Sequence, residues 1–154
     1  MLQERIPQQA FYQLQPELPK ALLALGQAVI ASGLEIQLLH LVKIRVSQLN
    51  GCGFCLHMHH AEARRDGEQQ ERLDILPAWR EVPYFSERER AALAWAEALT
   101  LIAQGGVSDE LYAIVGKQFT DLELANLTAA ILEINSWNRV VAGFHFIPKL
   151  KNLD

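Results

Sequence analysis

Both cysteines of the chain and three of its five histidines lie in one short segment, Asn50 to His60. If Cys52 opens a helix, then Cys52, Cys55 and His59 fall at positions i, i+3 and i+7, which form one stripe of the helix surface. His57 and His60 point away from that stripe. The spacing therefore predicts a site at which two thiols and one imidazole meet.

Three physical effects favour redox chemistry at this stripe. A helix N-terminus stabilises a thiolate, an adjacent imidazole can take the thiol proton, and a C-x-x-C pair can close as a disulfide. Such surroundings lower a cysteine pKa from about 8.5 toward ~3.5–7.5. We expect Cys55, which is nearer His59, to attack a peroxide or disulfide, and Cys52 to resolve the product into an internal disulfide. This cycle requires no metal and no other cofactor.

Other interpretations of the two cysteines remain open from the residues alone. Free cysteines are often inert, buried, small hydrophobic residues. Zinc could bind Cys52, Cys55 and His59, but closed zinc sites need four ligands, and the chain has no second cysteine pair. His57 and His60 have the character of solvated surface histidines, and we assign them no role.

His40 precedes the turn at Gly51 by eleven residues, and His59 follows that turn by eight. If the two flanking helices run antiparallel, a rise of 1.5 Å per residue leaves the two imidazoles within about 4.5 Å of the same height. A shared proton network is then geometrically possible. The alternative is a core histidine satisfied by a local partner.

Apolar residues recur at helical spacing along most of the chain, and no sustained alternation indicates a strand. Gly33 is a predicted C-cap, and Ser86/Glu89 and Thr120/Glu123 are predicted capping boxes. The stretch from Arg80 to Phe85 is expected to be extended, because Pro83 disfavours helix before it. We predict an all-α fold of about six or seven helices. The expected helices are Pro19–Ser32, Leu34–Asn50, Cys52–Arg65, a less regular Glu68–Ala78, Ala91–Ala103, a short helix from Ser108 and a long one over Leu122–Ala142.

The composition narrows the functional classes. The 154 residues, half of them hydrophobic and 21% charged, predict a single globular domain over residues 1–154. A formal charge of −4 provides no basic surplus for binding nucleic acid. The charge-free stretch Ala21 to Leu34 is too short to cross a bilayer, and the start of the chain has no apolar signal segment. We therefore expect a cytoplasmic protein that binds neither nucleic acid nor membrane.

The run Ser47-Gln48-Leu49-Asn50-Gly51-Cys52-Gly53-Phe54-Cys55, followed by His59, resembles the AhpD-like alkylhydroperoxidase branch of the carboxymuconolactone decarboxylase superfamily. Three further segments share the resemblance, which covers about residues 34–139. They are Trp79–Glu81, Phe85–Leu93 and Asn135–Arg139.

The resemblance implies an AhpD-like helical fold, a homo-oligomer (a trimer, or a hexamer built from smaller units) and thiol peroxidase or disulfide reductase activity. In that family the second cysteine attacks and the first resolves, which agrees with the roles expected for Cys55 and Cys52. His59 matches the family's proton-relay histidine. The electron donor would be a dithiol or a lipoyl-type group.

One departure from the family concerns His40, which stands where the family commonly has glutamate, twelve residues before the first cysteine. A neutral imidazole there could relay a proton, whereas a cationic one would disfavour a charged His59. We expect a peroxiredoxin-type alkylhydroperoxidase with an antioxidant role, in which His40 is a possible second relay. The alternatives are a non-catalytic oligomeric redox sensor or scaffold, and an acid–base enzyme of the decarboxylase type that does not need the cysteines.

Overall fold

A computed structural model describes residues 2–150, which contain nine α-helices, one 3-10 helix and no strand. The predicted all-α class is confirmed, but the predicted number of six or seven helices is too low. The elements are α1 (Gln8–Leu14), α2 (Glu17–Ala31), α3 (Ile36–Leu49), α4 (Gly53–Arg65), α5 (Gln70–Ile75), the 3-10 helix (Leu76–Glu81), α6 (Glu87–Thr100), α7 (Ile102–Gly105), α8 (Asp109–Gly116) and α9 (Asp121–Phe144).

Short helices account for most of the difference between the predicted and the observed number of helices. α1 lies in the Gln- and Pro-rich lead-in, where no helix was expected, and it is held by Phe11, whose ring packs 4.6 Å from that of Phe144. The expected run to Ala103 is broken at Leu101, which ends α6 and begins α7. The expected extended stretch from Arg80 is wrong at its start, because the 3-10 helix continues to Glu81. Such short elements depend on tertiary packing more than on local periodicity.

α3 runs through the middle of the fold and packs against α4, α6 and α9. It is apolar on most of its circumference, because two hydrophobic clusters meet on it. Leu38, Val42 and Val46 belong to one cluster, whereas Leu41 and Ile44 belong to the other. A helix buried on several sides holds its polar side chains in fixed places, and His40 is one of them.

Local signals define several helix ends as predicted. Both capping boxes form, Ser86 with Glu89 and Thr120 with Glu123. Gly33 follows α2 with a φ of 86°, a left-handed conformation that glycine adopts without strain. Within residues 2–150 no helix is both long and apolar enough to cross a membrane.

Glu97 of α6 joins α3 and the 3-10 helix to its own helix. Its carboxylate accepts hydrogen bonds from Arg45 Nε at 2.7 Å, Trp79 Nε1 at 2.8 Å and Arg80 at 2.5 Å. Burial alone would raise the pKa of Glu97, but the hydrogen bonds from Trp79, Arg45 and Arg80 outweigh burial and hold that pKa below its usual value. Glu97 therefore stays ionised and holds three elements together.

We expect Glu97→Gln to lower the free energy of unfolding by about 3 kcal/mol, because it leaves the largely buried Arg45 guanidinium, 14% exposed, without its charged partner. Urea unfolding followed by circular dichroism measures the change. Glu81→Gln, at an exposed position, is the control and should stay within about 0.5 kcal/mol of the parent protein. Equal losses in the two variants would contradict the role of Glu97.

Candidate functional site

The turn between α3 and α4 places the two cysteines. Asn50 ends α3, and Gly51 follows with a φ of 64°, which a side chain would make strained. The backbone N–H of Cys52 then donates to the carbonyl of Ser47 at 2.9 Å. The chain thus reverses within a few residues, and Cys52 becomes the N-cap of α4.

Polar side chains of α9 tie this turn to the rest of the fold. Asn50 Nδ2 donates to Asn135 Oδ1 at 3.0 Å and to Asn138 Oδ1 at 2.9 Å. Asn138 Nδ2 in turn donates to Ser47 Oγ at 3.1 Å. Because Asn138 and Ser47 are almost fully buried, these bonds set the register between the turn and α9.

Cys52 and Cys55 are joined by a disulfide, with their Cα atoms 5.3 Å apart. Both residues are buried, at 2% and 1% exposed. The backbone N–H of Cys55 donates to Cys52 Sγ at 3.3 Å. The start of α4 therefore directs a peptide N–H at Cys52 Sγ, an arrangement that stabilises a thiolate on Cys52 when the pair is reduced.

His59 lies one turn beyond Cys55 on α4 and is 5% exposed. Its Nδ1 is 2.8 Å from Glu62 Oε2. The hydrogen bond with His59 lowers the pKa of Glu62 below its usual value despite partial burial, with smaller contributions from the charges of His59, Lys43 and His40. An ionised Glu62 can only accept, so the proton is on Nδ1, and His59 Nε2 has no hydrogen-bond partner within residues 2–150.

His40, on α3, is also 5% exposed and has a carboxylate of its own. Its Nε2 lies 2.8 Å from Oδ2 of Asp66, the residue that ends α4. Hydrogen bonds from Arg65 and then from His40 lower the pKa of Asp66 to about 2. In the described part of the chain no hydrogen bond joins His40 to His59, and the partner of His40 is Asp66, 26 residues further along the chain.

A cavity of about 550 Å³ brings these groups together. Cys55, His40 and His59 all line it, whereas Cys52 does not. His57 is exposed outside it, and His60 bonds the carbonyl of Leu56 at 2.7 Å. The rest of the wall is largely apolar, with Leu23, Ile30, Ile36, Leu39, Phe54, Met58, Trp137 and Val141. A pocket of this size and character suits a small organic molecule.

A buried ion pair on the cavity wall was missed from the sequence. Lys43 Nζ lies 2.9 Å from Glu133 Oε2, and Trp137 Nε1 donates to Glu133 Oε1 at 3.0 Å. A Cβ on Gly26 would lie 3.1 Å from Glu133 Oε1, so the glycine of α2 leaves room for this carboxylate. The sequence signal that could have revealed this ion pair was Glu133 itself, because a single acidic residue within a long apolar helical run needs a partner when it is buried.

Among residues 2–150, no three His, Cys, Asp or Glu side chains are grouped so that they could hold a metal ion.

Comparison with known proteins is consistent with this geometry. The model of the carboxymuconolactone decarboxylase family matches residues 16–98. The uncharacterized protein YdfG of Bacillus subtilis is 39% identical over 131 residues, which are 85% of this chain and 89% of YdfG. The chain belongs to the carboxymuconolactone decarboxylase family. Within that family it falls in the AhpD-like branch.

Solved structures agree with that placement. ATU0492 of Agrobacterium tumefaciens, a protein of unknown function that has been assigned as an antioxidant defence protein AhpD, superposes with a TM-score of 0.91 at 39% identity. The match covers 97% of this chain and all of that one. An AhpD-core protein of Ralstonia eutropha shares the fold, with a TM-score of 0.78 at 19% identity over 91% of this chain and 75% of that one.

We expect Asn138→Ala to lower the free energy of unfolding by about 2 kcal/mol, because Asn50 and the buried Ser47 hydroxyl both lose a partner. Chemical denaturation measures the change. Ser136→Ala, at a half-buried site on the same helix where the hydroxyl donates only to the Leu132 carbonyl of that helix, should change stability by no more than about 0.5 kcal/mol. If Asn138→Ala behaved like this control, the polar network would not be what holds the turn.

Proposed function

We propose that the protein is a thiol-dependent peroxidase or disulfide reductase of the alkylhydroperoxidase type, with Cys55 as attacking thiol and Cys52 as resolving thiol. One observation carries the proposal. Of the two cysteines, only Cys55 lines the cavity, and it does so together with an imidazole whose far nitrogen is held by an ionised carboxylate.

The cycle begins with the reduced pair. Cys55 loses its proton toward His59, and the thiolate attacks the terminal oxygen of an organic hydroperoxide. The O–O bond breaks, the alcohol leaves with a proton, and Cys55 becomes a sulfenic acid. Cys52 then attacks that sulfur, water leaves, and the disulfide forms. A dithiol donor, of which a lipoyl group is one type, reduces the disulfide by two successive thiol–disulfide exchanges.

His59 can hold the proton because of its orientation. Glu62 fixes the hydrogen on Nδ1, which leaves a lone pair on Nε2 for the thiol proton. The ionised Glu62 then stabilises the imidazolium that results. Cys55 and His59 lie one turn apart on α4, so the helix itself sets their approach.

The cavity supports an organic rather than an inorganic substrate. Its apolar side chains exclude water around Cys55, and a drier environment strengthens the attraction between the Cys55 thiolate and the His59 imidazolium. The charged groups on the wall are already engaged in pairs, Lys43 with Glu133 and Arg65 with Asp66. We infer that the part of the substrate that enters is uncharged.

The decisive test counts thiols. We expect limiting cumene hydroperoxide to consume both thiols of the reduced protein, with one internal disulfide formed per molecule. Peroxide loss should continue only while a dithiol is supplied. Free-thiol titration and peroxide assay measure the two quantities in parallel.

Two cysteine variants assign the roles. Cys55→Ser should abolish peroxide loss, whereas Cys52→Ser should react once and stop at the sulfenic acid, which dimedone labels. Turnover that survives in Cys55→Ser would refute the redox cycle and favour an acid–base enzyme. One stoichiometric oxidation with no turnover under any dithiol would instead indicate a redox sensor or scaffold.

Glu62→Gln tests the orientation of His59. Loss of a charge-assisted hydrogen bond of about 1.5–3 kcal/mol should lower kcat/KM for hydroperoxide by roughly ten- to a hundredfold. The depressed pKa of Glu62 means that its contribution is complete at neutral pH and is lost as the pH falls through that pKa, so the two proteins should converge in acid. Glu71→Gln, at an exposed site, is the control. A kcat/KM equal to that of the parent protein would contradict a role for Glu62.

A further inference from the structure

The proposed cycle leaves one pair on the cavity wall unassigned, namely His40 with Asp66. His40 is 5% exposed, and its Nε2–H donates to Asp66 Oδ2 at 2.8 Å. Asp66 comes from the opposite end of α4, 26 residues further along the chain. A core histidine needs only a nearby hydrogen-bond partner. This hydrogen bond does more, because it joins two elements and holds a buried imidazole at the wall of the thiol cavity.

Asp66 is held as an anion at every pH at which thiols react. Arg65 donates to both carboxylate oxygens of Asp66, from Nε at 2.9 Å and from Nη2 at 3.2 Å. These bonds and the one from His40 lower the pKa of Asp66 to about 2. The carboxylate therefore only accepts, which keeps a hydrogen on His40 Nε2 and leaves the lone pair of the neutral imidazole on Nδ1. His40 Nδ1 has no hydrogen-bond partner within residues 2–150.

The other charged groups near His40 are already engaged in ion pairs, so the His40–Asp66 pair is the group that can take up the transferred proton. Besides His40 and Cys55, the titratable or charged groups that line the same cavity are Tyr12 on α1, Lys43 on α3, His59, Glu62 and Arg65 on α4, Asp66 at the C-cap of α4, and Glu133 on α9. Lys43 is neutralised by Glu133, and Glu62 is engaged by His59. Arg65 is bound to Asp66 and is 70% exposed, where water screens it.

We propose that Asp66 is a positioning residue that makes His40 the final proton acceptor of the thiol site, so that His40 and Asp66 together do the work of one carboxylate. The pair carries a charge of −1 while His40 is neutral and a charge of 0 once Nδ1 takes a proton. The proton that leaves Cys55 Sγ by way of His59 crosses the cavity that both imidazoles line, since no direct hydrogen bond joins them, and ends on His40 Nδ1, opposite the Asp66 anion. A thiolate and a stabilised imidazolium result, and no electron moves.

This inference rests on the proposed thiol function, and its test is chosen to be separable from it. The reduced protein is treated with iodoacetamide between pH 5 and 9, and the rate at Cys55 is followed by peptide mass. Alkylation reports thiolate formation whether or not the protein reduces any peroxide. An unmoved profile therefore refutes the role of Asp66, whereas failure to consume hydroperoxide refutes only the proposed function.

Asp66→Asn keeps the shape of the side chain and removes its charge. We expect the midpoint of the alkylation profile to rise by about one pH unit and the rate at pH 7 to fall about tenfold. Asp74→Asn, an exposed acid-to-amide change, should leave the profile unchanged. A purely structural role for Asp66 would lower the melting temperature without moving the midpoint, and that result would overturn the proposal.

A second pair of variants keeps the test decisive if Asp66→Asn folds poorly. His40→Glu alone sets a new carboxylate against Asp66, so the two repel and alkylation should slow at least as much as in Asp66→Asn. His40→Glu combined with Asp66→Asn leaves one carboxylate, and alkylation should return to within about threefold of the parent rate. If the combined variant is no faster than His40→Glu alone, the two residues do not act as one acceptor.

Discussion

The site depends on the reversal of the chain between α3 and α4. Gly51 adopts a left-handed φ of 64°, and the polar side chains of Asn50, Ser47 and Asn138 fix the resulting turn against α9. That single constraint places Cys52 at the N-cap of α4 and sets α3 alongside α4. The thiols, His59 and His40 are therefore held by one rigid corner rather than by mobile loops.

The packing of α4 back along α3 also brings the charged groups of the cavity wall together. Two histidines from different helices reach one apolar cavity, and each has a carboxylate bound to one ring nitrogen. Of the other charged groups on the wall, Lys43 and Glu133 neutralise each other, and Arg65 binds Asp66. Placed in pairs, charged groups can line a largely apolar cavity without leaving an uncompensated charge there.

Pairing also explains how the chain can lack a carboxylate at position 40. A buried histidine alone would be poorly suited to the site, because its cationic form opposes a charged His59. With the Asp66 anion 2.8 Å away, the imidazole and the carboxylate share one negative charge. The departure of the sequence from the family at His40 is thus accompanied by a second acid, which α4 supplies from its C-terminal end.

Local patterns in the sequence determined the all-α class, both capping boxes and the glycine that ends α2. These features depend on residues a few positions apart, so spacing alone specifies them. Only the tertiary structure decided the carboxylate partners of His40, the Lys43–Glu133 pair and the role of Asn138. Each joins residues far apart in the chain, and which side chains meet there depends on how the helices pack. The short helices α1 and α7 were missed for the same reason, since their stability comes from packing and not from periodicity.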